Sequence, residues 1–342
     1  MGRVRGGALG ALVAVLATGS IALAPRAAAA PAVGSATAET VAAASADGLR
    51  VAVAVTDTTS GTTTVAGEAD ALFPSESVVK VLIATRLIVD GQLTGEVETA
   101  AARMISASDD EAANSLWGLV GGGDVVTWVA ERYGLTGLGE PSEWGWWGNT
   151  KVSAAGVATL YAALLDDPVV APWLVTQLSA MTATAADGTD QSFGFEAADA
   201  TAALKQGWGG DDDSESTANL LSTGYVADER YAVAAIVQDP DGGSTTALVP
   251  TIDALAASVV ADTDAAAAAA ADVAAEAATA TDEVVAPAAV PTSGLVGGTS
   301  GAVAAEPWWP ASLAVLGTAT LLAALTLGVS AWSRRRATAR PS

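Results

Sequence analysis

The 342-residue chain contains neither cysteine nor histidine, which excludes disulfides, thiolate nucleophiles, histidine bases and the usual zinc sites. Its formal net charge is −23, and all 38 acidic residues lie between Glu39 and Glu306, where only eight basic residues accompany them and the net charge is −30. Such a surface repels nucleic acid, so we expect no nucleic-acid partner. No metal or other cofactor is indicated, and a nucleophilic serine must be activated by a lysine or a carboxylate.

The N-terminal segment has the features of a secretory signal. Arg3 and Arg5 precede an apolar run at residues 8–24, and the small residues at 27–30 supply cleavage sites. We therefore predict a signal peptide over residues 1–30, with a membrane-retained helix as the alternative.

The C-terminal segment is long and apolar enough to cross a bilayer. No charge interrupts residues 311–332, and three arginines follow at 334–336. By the positive-inside rule, this arrangement predicts a transmembrane helix at 307–333 and a cytoplasmic tail at 334–342. The Ala-, Pro- and Gly-rich residues 263–306 are interpreted as a flexible tether. We expect a single-pass protein of the cell membrane with an extracellular domain.

Residues 36–262 remain for one domain with two lobes. Hydrophobic periodicity and turn residues predict, in chain order, a helix at 39–45, strands at 49–56 and 62–66, helices at 75–89, 110–119, 124–133 and 153–165, strands at 201–207, 220–226 and 231–237, and a closing helix at 251–260. Strands from both ends of the domain with helices between them predict an α+β fold, in which an antiparallel sheet packs with a helical lobe.

A serine and a lysine stand three residues apart where the predicted helix 75–89 begins. On a helix, this spacing places the hydroxyl of Ser77 and the amine of Lys80 on one face, close enough to share a proton. An N-capping serine beside a solvated lysine gives the same pattern. The chain has only three lysines, and Lys205 ends a predicted strand beside glycines that let a ligand approach the backbone. Solvated decoration is the alternative for Lys205.

Ser108 and Asp109 precede the predicted helix at 110–119, where capping alone explains them. Taken together and in this order, three segments resemble the motifs of the class A β-lactamase family of penicillin-recognising serine hydrolases: Phe73-Pro74-x-x-Ser77-x-x-Lys80, Ser108-Asp109-Asp110 with Asn114, and Lys205-Gln206-Gly207. The resemblance covers the whole exported domain in topology, and its specific matches are confined to these motifs. The interval between the first two is shorter than the family usually has, so we expect a trimmed helical lobe.

The resemblance implies a role for each matched residue. Ser77 would be the nucleophile that forms an acyl-enzyme, and Lys80 would be its base or proton relay. Ser108 would pass a proton to the leaving nitrogen. Lys205 would steady that transfer and attract the substrate carboxylate.

The resemblance also implies the supporting parts of the site. The backbone N–H groups of Ser77 and Trp208 would form the oxyanion hole. Asp109 and Asn114 would give structural support, with Asn114 bracing the loop below the site. Asp110, Gln206 and Gly207 would bind substrate.

Several positions depart from the family pattern. Asp110 replaces an asparagine that donates to the substrate, and its carboxylate is expected to pair with Lys80 and alter its pKa. Gln206 replaces a hydroxyl that contacts the substrate carboxylate. The deacylating glutamate would be Glu140 or Glu143, but neither has the family's context, so hydrolysis of the acyl-enzyme is expected to be slow. The tryptophans of this loop are interpreted as packing, with aromatic stacking on a glycan as the alternative.

The expected function is therefore that of an exported, membrane-anchored serine hydrolase. It would act by acyl transfer at Ser77 on β-lactams or on D-Ala-D-Ala-type peptides of peptidoglycan. One alternative is a D,D-carboxypeptidase-like wall enzyme with weak β-lactamase activity. Another is a catalytically impaired protein of the same fold that binds the cell wall.

Overall fold

The computed structural model describes residues 33–142, 145–210 and 217–282, with side chains described as far as Glu276. The predicted signal peptide, transmembrane helix and cytoplasmic tail lie outside these residues, as do Glu143 and the part of the predicted tether that follows residue 282.

Nine helices lie in the described residues: α1 (Ser35–Ala46), α2 (Val79–Val89), α3 (Gly95–Ser106), α4 (Asp110–Leu119), α5 (Asp124–Tyr133), α6 (Ala154–Asp166), α7 (Ala171–Ser179), α8 (Phe195–Ala198) and α9 (Thr245–Asp282). The strands of this part of the chain are β1 (Arg50–Asp57), β2 (Thr63–Gly67), β3 (Phe73–Pro74), β4 (Leu138–Gly139), β5 (Lys151–Val152), β6 (Ala203–Gly209), β7 (Ala218–Val226) and β8 (Tyr231–Asp239). Short 3₁₀ turns occupy Glu76–Val78 and Trp147–Asn149.

Five strands form an antiparallel sheet in the order β2-β1-β8-β7-β6. The central pairing joins the two ends of the domain, because β1 pairs with β8 along its whole length, from Arg50 opposite Gln238 to Asp57 opposite Tyr231. A smaller three-stranded sheet has the order β3-β5-β4. Strand β6 therefore lies at an edge of the main sheet, where backbone groups remain available to a ligand.

Each face of the main sheet is covered by helices, and β1 shows how the sequence achieves this. Successive side chains of a strand point to opposite faces. Val51, Val53 and Val55 belong to the core beneath α1 and α9, whereas Ala52 and Ala54 belong to the core shared with α6 and the helical lobe. Because both faces of β1 are buried, its sequence is a nearly continuous run of apolar residues.

The predicted α+β fold, with a sheet built from both ends of the domain and a helical lobe between them, is confirmed. Helices α4 and α5 have the predicted bounds. The first predicted helix of the lobe differs, because residues 76–78 form a 3₁₀ turn and α2 begins only at Val79. Helices α3, α7 and α8 were not predicted.

Helix α9 begins six residues before the predicted closing helix and continues through Asp282, so part of the segment interpreted as a tether is helical. Thr245–Glu276 is long and apolar enough, by length and composition, to cross a membrane. Within the domain, however, Leu248, Ile252, Leu255 and Val259 are buried against the sheet and α1. Their spacing of three or four residues explains the apolar character of the first half of α9 as that of a core helix.

Candidate active site

Ser77 lies in the 3₁₀ turn that leads into α2, beside the edge strand β6. The residue before it, Glu76, has a left-handed backbone with a φ of 46°. Gly207 of β6 makes room for this turn, because a Cβ atom there would stand 3.3 Å from the Ser75 carbonyl oxygen and 3.4 Å from the Ser77 nitrogen. The absence of a side chain at Gly207 brings the strand and the serine backbone together, as an oxyanion hole formed by both would require.

Lys80 lies one helical turn beyond Ser77 and is fully buried. Its Nζ atom is 2.7 Å from Ser77 Oγ, 2.9 Å from the Ser108 carbonyl oxygen, 3.1 Å from Ser108 Oγ and 2.5 Å from Asp110 Oδ1. An ammonium has three hydrogens for these four acceptors, so the contacts cannot all be full hydrogen bonds at once. Lys80 is thus placed to exchange protons with both hydroxyls.

Ser108 and Lys205 complete the polar cluster. Ser108 stands just before α4 with a left-handed φ of 52°, which turns its hydroxyl towards both lysines. Lys205 Nζ, also fully buried, donates to Ser108 Oγ at 2.9 Å and to the carbonyl oxygen of Gln206 at 2.8 Å. A continuous path of short contacts therefore runs from Ser77 through Lys80 and Ser108 to Lys205.

Burial shifts the pKa of both lysines downwards. Desolvation lowers the pKa of Lys80 below its ordinary value, although the Asp110 carboxylate opposes this shift. Desolvation also lowers the pKa of Lys205 well below its ordinary value, and the neighbouring charge of Lys80 adds to the effect. Both shifts favour the neutral amine, which is the form that accepts a proton from a hydroxyl.

Asp109 organises the start of α4. Its carboxylate accepts from the backbone N–H of Ala112 at 3.0 Å, which caps the helix, and from Arg103 Nε at 2.9 Å. Although burial raises the pKa of Asp109, these hydrogen bonds outweigh it and hold the pKa below its ordinary value. The capped helix holds Ser108 and Asp110 at its N-terminal end, beside Lys80.

A pocket of about 400 Å³ opens over this cluster. Its walls come from the 3₁₀ turns, α4 and β6, and it is lined by Glu76, Ser77, Asp110, Asn114, Gly145, Trp146, Trp147, Gly148 and Trp208. The polar cluster lies beneath the surface, and Ser77 gives it access to this pocket. The lining is both aromatic and acidic.

Two tryptophans of the loop lie at the pocket, and one of them contacts Lys80. The ring centroid of Trp147 lies 4.7 Å from Lys80 Nζ, within the range of a cation–π contact. Trp147 Nε1 donates to Asn114 Oδ1 at 2.8 Å, so Asn114 holds the loop against α4. Trp146, more than half exposed, lines the pocket as well. Nothing in the sequence places one indole rather than another over Lys80.

Glu76 is a pocket residue that sequence reasoning missed. Its side chain is largely buried, and Oε1 accepts from Asn219 Nδ2 at 3.2 Å. Asn219 in turn accepts from Gln238 Nε2, and Gln238 accepts from Arg50 Nη1, both at 2.7 Å. A glutamate directly before Ser77, in the first of the three motifs, was the signal that could have found it.

Gln206 is placed otherwise than expected. Its amide Nε2 donates to the carbonyl oxygens of Phe193 at 2.7 Å and Gln191 at 3.2 Å, and the side chain is fully buried. It does not line the pocket. Because successive side chains of β6 alternate in direction, Gln206 points away from the side that Lys205 faces. Its amide bonds to backbone carbonyls instead of a substrate.

Glu140 is also remote from the pocket. Its Oε1 accepts from Thr127 Oγ1 of α5 at 3.1 Å, and its side chain is exposed. The carboxylates that line the pocket in the described residues are those of Glu76 and Asp110. Asp110 forms the expected ion pair with Lys80.

Comparison with solved structures agrees with this architecture. An engineered variant of a reconstructed class A β-lactamase, that of the last common ancestor of Gram-negative bacteria, superposes with a TM-score of 0.53 at 21% identity, covering 66% of this chain and 98% of the other. The β-lactamase from Streptomyces albus G gives a TM-score of 0.52 at 20% identity, covering 66% and 98%. The domain therefore has the class A β-lactamase-like fold.

Curated sequences supply a nearer relative. LppW of Mycobacterium tuberculosis, named as a lipoprotein, is 33% identical over 233 residues, which are 64% of this chain and 69% of the relative. The chain belongs to the LppW family. The LppW sequence of Mycobacterium bovis matches to the same extent. No protein-family model matches the chain.

Proposed function

We propose that this member of the LppW family is a serine hydrolase that works by acyl transfer at Ser77. The observation that carries the proposal is the 2.7 Å contact between Lys80 Nζ and Ser77 Oγ at the edge of an open pocket. A buried lysine with a lowered pKa is a suitable base for a serine when no histidine is available.

The contacts support a complete proton path. Neutral Lys80 accepts the Ser77 proton as Oγ attacks the substrate carbonyl carbon, and a tetrahedral oxyanion forms. The proton then passes from Lys80 to Ser108 Oγ, 3.1 Å away, while the Ser108 proton goes to the leaving nitrogen. The carbon–nitrogen bond breaks and an ester on Ser77 remains, which water later hydrolyses.

The remaining residues hold this machinery in place. Lys205, 2.9 Å from Ser108 Oγ, orients that hydroxyl for the second proton transfer. The backbone N–H groups of Ser77 and Trp208, on the turn and the edge strand that Gly207 brings together, would stabilise the oxyanion. Asp109 caps the helix that carries Asp110, and Asn114 fixes the loop through Trp147.

The substrates that we propose are β-lactams and D-Ala-D-Ala-type peptides of peptidoglycan. Both present an acyl group on nitrogen, which the Lys80–Ser108 path can protonate as it leaves. The similar solved structures are themselves named β-lactamases, which supports the first of these substrates.

A second candidate is a protein that acylates and then turns over slowly, like a D,D-carboxypeptidase-like enzyme or a cell-wall-binding protein. Two observations favour it. Glu140 bonds to Thr127 away from the pocket, and the indole of Trp147, rather than a carboxylate, covers Lys80 on the loop side. The carboxylates that line the pocket in the described residues are Glu76 and Asp110, and neither stands in the loop where the class A β-lactamase family places its deacylating glutamate.

The test is covalent labelling of the full-length protein with a fluorescent penicillin and with a fluorophosphonate probe. We expect a labelled band that disappears in Ser77→Ala and persists in Ser115→Ala, an exposed serine of α4. Absence of Ser77-dependent labelling by both reagents would contradict the proposal. Turnover of a chromogenic cephalosporin then separates a β-lactamase from a protein that acylates and stalls.

We further propose that the protein is held at the cell envelope. LppW is named as a lipoprotein, but this 342-residue sequence has no cysteine to carry a lipid. The uncharged segment at 311–332 would serve as the anchor instead. Truncation after Glu306 should release the domain from membranes, and continued tight association would contradict a C-terminal anchor.

A further inference from the structure

The charged side chains that line the pocket in the described residues are carboxylates. Glu76 and Asp110 line it, and the carboxylate of Asp187 accepts from Nε1 of the lining residue Trp208 at 3.2 Å. The cations nearby are Lys80 and Lys205, and both are fully buried. Lys80 is paired with Asp110, and Lys205 is bonded to Ser108 and to a backbone carbonyl.

The arginines of the described residues offer no substitute. None of them lines the pocket. Each forms an ion pair elsewhere, namely Arg50 with Glu68, Arg86 with Asp90, Arg103 with Asp109, Arg132 with Asp167 and Arg230 with Asp57. A substrate carboxylate entering this pocket would therefore meet carboxylates before it met an available cation, and like charges at close range repel.

The aromatic walls suit a cation. Trp146, Trp147 and Trp208 line the same pocket as the two carboxylates. The ring centroid of Trp147 lies 4.7 Å from Lys80 Nζ, and that of Trp208 lies 5.8 Å from Lys205 Nζ. The side chain of Trp146 is 54% exposed. Indole is the best of the side-chain rings for binding a cation, and carboxylates beside indoles form the cages that recognise quaternary ammonium groups.

The backbone is shaped to hold Glu76 in this wall. A Cβ atom on Gly209 would stand 2.2 Å from Glu76 Oε2, and one on Gly148 would stand 3.7 Å from the same atom. Glu76 itself adopts a left-handed φ of 46°, which is a strained backbone conformation for a non-glycine residue. The left-handed backbone of residue 76 and the absence of a side chain at Gly209 together give the Glu76 carboxylate its place in the pocket wall.

We propose that the pocket selects acyl donors that carry an ammonium group, with Glu76 and Asp110 as the carboxylates and the tryptophans as the aromatic walls that bind it. This proposal rests on the proposed function of Ser77 and specifies the substrate class of the same site. Among β-lactams and wall peptides, those with an amine in the acyl part are the preferred donors, and those whose only charges are carboxylates are the poor ones.

The test uses three p-nitrophenyl esters of equal chain length that end in trimethylammonium, tert-butyl or carboxylate. The first two groups have the same shape and differ only in charge. The full-length protein hydrolyses each ester, and the rate constant kcat/KM is divided by the rate of alkaline hydrolysis to remove intrinsic reactivity. We expect the ammonium ester to be preferred over the tert-butyl ester by roughly tenfold, and the carboxylate ester to be the slowest.

Two variants identify the groups responsible. Glu76→Gln keeps the shape of the side chain and should lower the ammonium-to-tert-butyl ratio several-fold. Glu111→Gln removes the same charge from an exposed position on α4, outside the pocket, and should leave the ratio unchanged. Equal ratios in all three proteins, or a preference for the carboxylate ester, would overturn the inference while leaving Ser77-dependent hydrolysis intact.

Binding gives a readout that needs no turnover. In full-length Ser77→Ala protein, phenyltrimethylammonium should show saturation-transfer NMR signals that Glu76→Gln weakens, whereas benzoate should show none. If phenyltrimethylammonium binds in this way but Ser77 is not labelled, the proposed enzyme activity is wrong and the ammonium site stands. Binding of benzoate in preference to the ammonium would remove the site.

Discussion

Replacing Asp110 by asparagine tests how the pKa of Lys80 is set. Asp110 Oδ1 lies 2.5 Å from Lys80 Nζ, and the Asp110 side chain is 55% exposed. Because water screens the pair, we use the dielectric constant of water, for which Coulomb's law gives about 1.7 kcal/mol at this distance. The ammonium form of Lys80 loses this interaction in Asp110→Asn, so the substitution should lower the pKa of Lys80.

The direction of the pH effect follows from the role that we propose for Lys80. As a base, Lys80 is active when neutral, so acylation of Ser77 rises with pH through the pKa of Lys80. Asp110→Asn should therefore move the acidic limb of this profile to lower pH, measured as the rate of fluorophosphonate labelling against pH. Glu111→Gln is the matched control and should leave the limb in place. An unchanged limb in Asp110→Asn, or a shift to higher pH, would refute the assignment of Lys80 as the base.

Three further predictions concern the scaffold. Leu82→Ala, in the buried face of α2, should lower the free energy of unfolding by roughly 2–5 kcal/mol in urea titrations. Asp262 accepts from Gly34 N, Thr37 N and Thr37 Oγ1, and these bonds, working against burial, hold its pKa below the ordinary value. The stabilisation that Asp262 provides is therefore present above the ordinary pKa of an aspartate and is lost as the pH falls through its lowered pKa. Asp262→Ala should lower the free energy of unfolding by roughly 1 kcal/mol at pH 7 and by less near pH 3. Gly209→Ala should displace the Glu76 carboxylate and weaken the ammonium preference, and an unchanged preference would contradict the position given to Glu76.

The strongly periodic parts of the fold could be predicted from the sequence. Helices α4 and α5 and the strands of the main sheet have clear apolar patterns and turn residues at their ends. Helix α3 was not predicted because it has few buried residues, namely Ala101, Met104 and Ile105. They stand in an alanine-rich segment in which apolar and polar positions are hard to tell apart. The full length of α9 was not predicted, because the composition of its alanine-rich second half is also typical of a tether.

The site divides in a similar way. The spacing of Ser77 and Lys80 indicated a pair, and the resemblance to the β-lactamase motifs added Ser108 and Lys205. In the structure, each successive contact from Ser77 through Lys80 and Ser108 to Lys205 is 3.1 Å or shorter. Glu76 and Trp147 could not be assigned, because their positions depend on a left-handed turn and on a loop that packs across α4. Gln206 was expected to face the substrate. Side chains of β6 alternate in direction, however, and Gln206 points to the side opposite Lys205.

The most direct test of the central claim is peptide mass spectrometry of the full-length protein after reaction with a fluorophosphonate. We predict one adduct, on Ser77, whose rate of formation falls strongly in Lys80→Met. Lys151→Met is the control, because Lys151 lies outside the pocket lining, and it should leave the rate unchanged. An adduct on another residue, or labelling of Ser77 at the same rate without Lys80, would contradict the central claim.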